Sequence, residues 1–118
     1  MIVEDNPINA ELLKNYLELA GVRNTLIYSN PLAMIDDLNT INFNLVIMDI
    51  QLNEMSGVEA AEIILQNKKF SSVPIIAISG FAFQDEIKET LKTGFFKDYI
   101  TKPIDRKKFI DIIRRNLL

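Results

Sequence analysis

Apolar residues fall into two alternating textures along this chain. One is short and continuous: Ile2 with Val3, then residues 25–28, 45–48, 73–78 and 98–101. The other places apolar residues three and four positions apart with polar residues between. A continuous apolar run without in-and-out alternation predicts a strand covered on both faces, as in a parallel sheet flanked by helices. The spaced texture predicts amphipathic helices. Asn6 reads as an N-cap with Pro7 at the first helical position. Ile8, Leu12, Tyr16, Leu17 and Ala20 follow at helical spacing, and Gly21 reads as the terminator. Asn30-Pro31 opens a second helix carrying Met34, Ile35 and Leu38. Gly57 precedes a third over residues 58–66. A fourth, over residues 84–92, stops at Gly94. Asp105 caps a last helix with Phe109, Ile110, Ile113 and Leu117 on its buried face.

The order is strand–helix, five times over. Such alternation predicts a parallel sheet with right-handed crossovers and helices on both faces. Ligands of such sheets bind beyond the carboxyl ends of the strands, where strand order reverses. The residues immediately after each strand therefore carry the chemistry. They are Glu4-Asp5 after the first, Asp49 after the third, Ser79 at the end of the fourth and Lys102-Pro103 after the fifth. Taken singly, each has a plain structural explanation. Glu4 and Asp5 suit a helix start, Asp49 a turn, Ser79-Gly80 a turn, and Lys102-Pro103 a surface loop. Their occurrence in order, each at the end of a parallel strand, points to one shared crevice.

Composition narrows what that crevice can do. The 118 residues fit one domain, spanning residues 1–118, and net charge is −3. A mildly acidic chain is ill suited to gripping a phosphate backbone, so direct nucleic-acid binding is not expected. There are no cysteines and no histidines. That excludes disulfides, thiolate nucleophiles, serine triads and histidine-ligated zinc. The longest mostly apolar stretch, residues 73–83, is too short to span a bilayer and there is no signal-like N-terminus, so a soluble, cytoplasmic protein is expected.

Any metal must then be held by oxygen, which favours a hard ion such as Mg²⁺. Three carboxylates in one crevice repel one another, and a divalent cation removes the conflict. Asp49 ends the most buried run and is the best-placed central carboxylate. A carboxylate can attack phosphorus and form an aspartyl phosphate. Lys102 can neutralise phosphoryl oxygens and Ser79 can donate a hydrogen bond to one.

The segments VEDN at 3–6, LVIMDIQLNEMSG at 45–57, PIIAISGFA at 74–82 and YITKPI at 99–104 together resemble the receiver domain of bacterial two-component response regulators. The opening and the MDIQL segment most resemble receivers of hybrid histidine kinases or stand-alone phosphorelay receivers. The resemblance implies an α/β, flavodoxin-like (βα)5 fold with strand order 2-1-3-4-5. It implies that Asp49 accepts a phosphoryl group from the phosphohistidine of a histidine kinase or histidine phosphotransfer protein. By the same resemblance Asp5 ligates Mg²⁺ directly, Glu4 acts through water and the backbone carbonyl of Gln51 is a further ligand. Ser79 stands at the switch position, Tyr99 at the aromatic position coupled to it, and Lys102 at the phosphate-contacting lysine. The face made by the fourth helix, fifth strand and fifth helix would respond to phosphorylation, meeting a downstream output protein or domain or a second copy of the chain. The family implies a signalling domain rather than a turnover enzyme, either alone or within a larger membrane-anchored hybrid kinase.

Four positions depart from the family pattern. The chain begins almost inside its first strand, as a shortened chain or a fragment of a longer protein would. Asn53 stands where proline is common, which loosens the loop after Asp49. Gly80 replaces a common alanine, and Ser79 a commoner threonine. Phe81, Phe83, Phe95 and Phe96 concentrate around the fourth helix. At least two are expected in the core, and any exposed one would add to a partner-binding patch. The resemblance also places Gln51 and Phe81 beside the approach of water to a phosphorylated Asp49.

Two other readings remain open from sequence. A Mg²⁺-dependent phosphohydrolase with an aspartyl nucleophile would want a second acid two residues after Asp49, where Gln51 stands. A degenerate receiver that only binds partners would lack an acid, the acceptor or the lysine, and all are present.

Overall fold

The computed structural model describes residues 1–80 and 83–117. Its elements are β1 (Ile2–Val3), α1 (Pro7–Leu19), β2 (Ile27–Tyr28), α2 (Pro31–Asp37), β3 (Val46–Asp49), α3 (Gly57–Gln66), a short 3-10 turn at Lys68–Phe70, β4 (Ile75–Ser79), α4 (Gln84–Lys92), β5 (Asp98–Thr101) and α5 (Arg106–Leu117). The five strands form one sheet in the order β2-β1-β3-β4-β5, and every pairing is parallel. The expected α/β (βα)5 architecture and strand order are therefore both present. No helix among the described residues is long and apolar enough to cross a membrane.

Both faces of the sheet are covered, which explains the unbroken apolar runs. Val46, Met48, Ile75 and Ala77 point to a cluster with Met34, Leu38, Ala60, Ala61, Ile64 and Phe70. Their neighbours Ile47, Ile76 and Ile78 point to the opposite cluster with Leu13, Leu17, Phe109 and Ile113. Thus α2 and α3 cover one face, and α1 and α5 the other. Successive strand residues belong to different cores, as the two-residue period of a strand requires.

The helix ends follow the chemistry of their caps. Asn6 Oδ1 accepts from the N–H groups of Ile8 and Asn9, and Asn30 Oδ1 from that of Leu32. Asp105 Oδ1 accepts from Lys108 N–H at the start of α5. At the end of α1, Gly21 has φ +98°, its N–H bonds Glu18 O, and Val22 N–H bonds Leu17 O. That left-handed turn is open to glycine at little cost.

Several boundaries and faces differ from the pattern-based expectation. The second strand is only Ile27–Tyr28, a half-exposed edge pairing with β1 alone. The fourth begins at Ile75, just past Pro74, which has no N–H to give a ladder. Of the residues expected on α1, Leu17 is buried and Tyr16 and Ala20 pack against the core, but Ile8 and Leu12 are exposed and Ala10 and Leu13 are buried in their stead. Ile8 is 78% exposed, because the ridge that meets Phe109 and Ile113 of α5 lies one position round the helix. On α5, Leu117 is exposed. The inward stripe through Phe109, Ile112 and Ile113 continues to Asn116, whose amide bonds Asp98 and Ile112 O. Of the four phenylalanines, Phe96 is buried, Phe95 packs against the same core and Phe83 is exposed. Phe81 lies outside the described residues.

Candidate functional site

All the strand-end residues singled out from sequence converge at one edge of the sheet. Glu4 follows β1 and Asp49 closes β3, and parallel pairing of these strands brings their ends side by side. Ser79 closes β4, in register with Thr101, so Lys102 follows immediately alongside. The backbone makes this juxtaposition rigid: Lys102 N–H donates to Ser79 O at 2.9 Å, and Ile50 N–H to Ile78 O at 2.9 Å.

The Lys102 ammonium lies between two acids, 3.0 Å from Asp49 Oδ2 and 3.2 Å from Glu4 Oε1. Asp49's other oxygen, Oδ1, accepts from the Gln51 N–H at 2.8 Å. Glu4, Asp49 and Ser79 are all buried. Asp5 is half-buried, and one oxygen of each of Glu4, Asp5 and Asp49 lies within 4.8 Å of the others.

This crowding shows in the acid–base properties. Glu4 is pushed up from an ordinary 4.5 to about 7, first by burial and then by its hydrogen bond to Asp49 and that residue's charge, with Asn9 and Lys102 pulling the other way. Burial pulls the Lys102 ammonium down, but its contacts with Asp49 and Glu4 prevail and hold it above its ordinary value. Among the described residues, Glu4 Oε2 is buried without a hydrogen-bond partner. An orphaned carboxylate oxygen beside two further carboxylates is a donor set that fits a hard divalent cation.

The remaining expected residues surround this centre. Gln51 lies two residues past Asp49, and its side-chain Oε1 accepts from Gly80 N–H at 3.1 Å and Ser79 Oγ at 3.4 Å. Tyr99 is half-buried on β5, opposite Ala77 in register, and packs against the core on the α2–α3 side.

One further residue emerges only in three dimensions. A Cβ placed on Gly57 would stand 2.3 Å from Asp49 O and 2.7 Å from Ile50 Cα. Gly57 N–H also donates to Ile50 O at 3.0 Å. The first residue of α3 is thus pressed against the backbone that carries Asp49, an approach only glycine permits. In sequence Gly57 reads simply as the residue before a helix. Ser56, one position earlier, is the N-cap, its Oγ accepting from Glu59 N–H at 3.1 Å.

The model of the response regulator receiver domain family matches residues 1–114. This chain belongs to that family. The receiver is 34% identical over 117 residues to the polar-differentiation response regulator DivK of Brucella anthropi, covering 99% of this chain and 94% of that protein. Among solved structures it is similar to the receiver domain of a sensor histidine kinase from Pseudomonas aeruginosa, which has a magnesium ion coordinated in its active-site cleft. That likeness has a TM-score of 0.84 at 28% identity and covers 98% of this chain and 93% of the other. It is similar too to the receiver domain of a signal transduction histidine kinase from Syntrophus aciditrophicus, with a TM-score of 0.85 at 28% identity, covering 98% and 86% of the two chains. The receiver therefore resembles both a response regulator and domains of histidine kinases.

Proposed function

We propose that residues 1–118 act as one receiver unit, the phosphoacceptor of a histidine-to-aspartate phosphorelay, with Asp49 as the acceptor. The observation that carries this reading is the setting of the Asp49 carboxylate. It is buried at the end of a central strand, with one oxygen on the Lys102 ammonium and the other on the Gln51 N–H. A carboxylate so held is fixed in direction, which lowers the entropic part of the barrier to attack. The phosphoryl donor is a histidine outside these 118 residues, which contain none.

In the transfer, an Asp49 carboxylate oxygen forms the new O–P bond as the N–P bond of the partner's phosphohistidine breaks. The N–P electron pair returns to the imidazole, which leaves neutral when its second nitrogen carries a proton. Lys102, already beside Asp49, stabilises the charge on the phosphoryl oxygens. The residues that would hold Mg²⁺ are Glu4, Asp5 and Asp49 with the Gln51 backbone carbonyl, and the bound ion would supply further positive charge to the group in transfer. The orphaned Glu4 Oε2 and the magnesium of the similar Pseudomonas receiver support that assignment. Ser79 then donates its hydroxyl to the phosphoryl group, and Tyr99 couples that movement to the α4–β5–α5 face, where an output partner or a second copy docks. Hydrolysis is slow without a partner phosphatase, since Gln51 cannot act as a general base at neutral pH.

The test is intact mass after incubation with a small-molecule phosphodonor and Mg²⁺. The protein should gain one phosphoryl group and Asp49→Ala none. Equal labelling of both would refute Asp49 as the acceptor. Repeated turnover of donor to free phosphate without phosphoprotein would favour a phosphohydrolase.

A further inference from the structure

The side chain of Gln51 is used in a way that the acceptor chemistry does not require. Its backbone N–H holds Asp49 Oδ1 at 2.8 Å, while its carboxamide reaches across to the end of β4. There Oε1 takes two donors, the Gly80 N–H at 3.1 Å and the Ser79 hydroxyl at 3.4 Å. The orientation of the amide is decided by chemistry: a backbone N–H can only donate, so the carboxamide must present its oxygen and not its NH₂.

The position of these bonds matters. The backbone up to Ser79 is fixed by the sheet, through the pairing of Ser79 with Thr101 and the bond from Lys102 N–H to Ser79 O. The loop leaves the sheet at Gly80, a residue with no side chain to stiffen it. Gln51 grips the chain at that point. Among the described residues, a Cβ added to this glycine would meet only the same oxygen, at 3.4 Å.

We propose that the Gln51 carboxamide is a latch that competes with the phosphoryl group for the Ser79–Gly80 donors. This rests on the reading of Asp49 as phosphoacceptor. A phosphoryl group on Asp49 presents oxygens to the same crevice and needs donors. The donors at the end of β4 are a hydroxyl and an N–H that already share one oxygen of Gln51. Phosphorylation then proceeds by exchange, phosphoryl oxygen for amide oxygen, and the Gln51 side chain is released to solvent as Ser79 and Gly80 turn to the acceptor. Gln51 is a positioning residue in this scheme. It sets how much of the binding free energy of the phosphoryl group is spent in drawing Ser79 and Gly80 from their resting contacts.

The experiment uses beryllofluoride with Mg²⁺ as the phosphoryl mimic, titrated into the receiver and followed by amide NMR. Gln51→Met keeps the length and the backbone carbonyl but removes the acceptor. Relative to wild type it should bind beryllofluoride about three- to tenfold more tightly, the range expected when one or two neutral hydrogen bonds no longer compete. Without beryllofluoride, the Gly80 amide should exchange with solvent several-fold faster in Gln51→Met. Gln51→Asn, one methylene too short to reach, should behave as Gln51→Met does. Unchanged or weaker binding by both variants, with binding still abolished in Asp49→Ala, would overturn the latch and leave the acceptor standing. Binding that survives in Asp49→Ala would overturn both. Unchanged Gly80 exchange in the variants would show that the grip does not hold the loop and would also overturn the latch.

Discussion

In metal-free protein, Glu4→Gln should remove most of a pH dependence that the wild-type fold carries. Glu4 is raised in the folded state from 4.5 to about 7, mainly by burial and then by Asp49. Between those values the folded chain binds more protons than the unfolded one, so stability falls as pH rises through the interval. The fold is favoured below 4.5, where the carboxyl is neutral in both states, and the penalty is complete once pH passes about 7. At about 1.4 kcal/mol for each pH unit, the loss is about 3 kcal/mol as an upper figure. The Lys102 shift is also upward, but it acts only from the ordinary lysine value upward, so its contribution is constant across this window. Glutamine keeps an oxygen for Lys102 and carries no charge, but its amide N–H groups need partners, at a cost of about 1 kcal/mol. The variant should therefore match or slightly trail wild type near pH 5 and exceed it by about 1–2 kcal/mol near pH 8. Urea melts in EDTA at several pH values measure this. Saturating Mg²⁺ should restore wild-type stability near pH 8, by about 2.7 kcal/mol at a hundred times the dissociation constant. A flat wild-type profile, or one whose slope persists in Glu4→Gln, would refute the electrostatic account.

Two further substitutions probe the supports of Asp49. Gly57→Ala puts a methyl against Asp49 O and Ile50 Cα, so it should destabilise the fold by about 1–3 kcal/mol and slow phosphorylation from a small donor; denaturant melts and mass-resolved labelling read the two effects. Lys102→Met removes the cation shared by Glu4 and Asp49, and should cost about 1–3 kcal/mol near pH 8 with a much smaller loss near pH 5, measured by the same melts.

Much of this was legible in the sequence because it depended on local texture and on topology. The apolar runs at 45–48 and 73–78 read as strands buried on both sides, and the structure divides their residues between two cores. Once the strands are parallel, Glu4, Asp5, Asp49, Ser79 and Lys102 must share an edge, whatever the details of packing. Features that depend on the path of another segment were not legible. Helical spacing in α1 marks Ile8 and Leu12 together with Tyr16, Leu17 and Ala20, whereas Ile8 and Leu12 are exposed and the cluster shared with α5 takes Leu13 beside Leu17, Tyr16 and Ala20. Which turn of an amphipathic helix faces inward is settled only by the path of the helix packed beside it. The same holds for Phe70, whose three-residue 3-10 turn is too short to have a periodic pattern and whose ring stacks on Phe43 with centroids 3.9 Å apart. Gly57 and the reach of the Gln51 carboxamide are of this kind too.

The resting site also explains why a phosphoryl group has something to move. Three carboxylates face one ammonium, and that ammonium is divided between Glu4 and Asp49 while Glu4 Oε2 has no partner. On the proposed reading, phosphorylation replaces the Asp49 carboxylate charge with about two negative charges, carried further out on the phosphoryl oxygens. Lys102 is then drawn away from Glu4 toward the new charge. Ser79 and Gly80 are drawn from Gln51 in the same direction, because their shared amide oxygen is neutral and the phosphoryl oxygens are not. Each displaced contact is individually weak, and all of them lie at the ends of β4 and β5, next to the elements that carry α4 and α5. Helix α4 has no buried residue among those described, so little packing holds it against such a pull. A switch of this design draws its free energy from the charge conflict at the strand ends and expresses it in the helix with the least packing to lose.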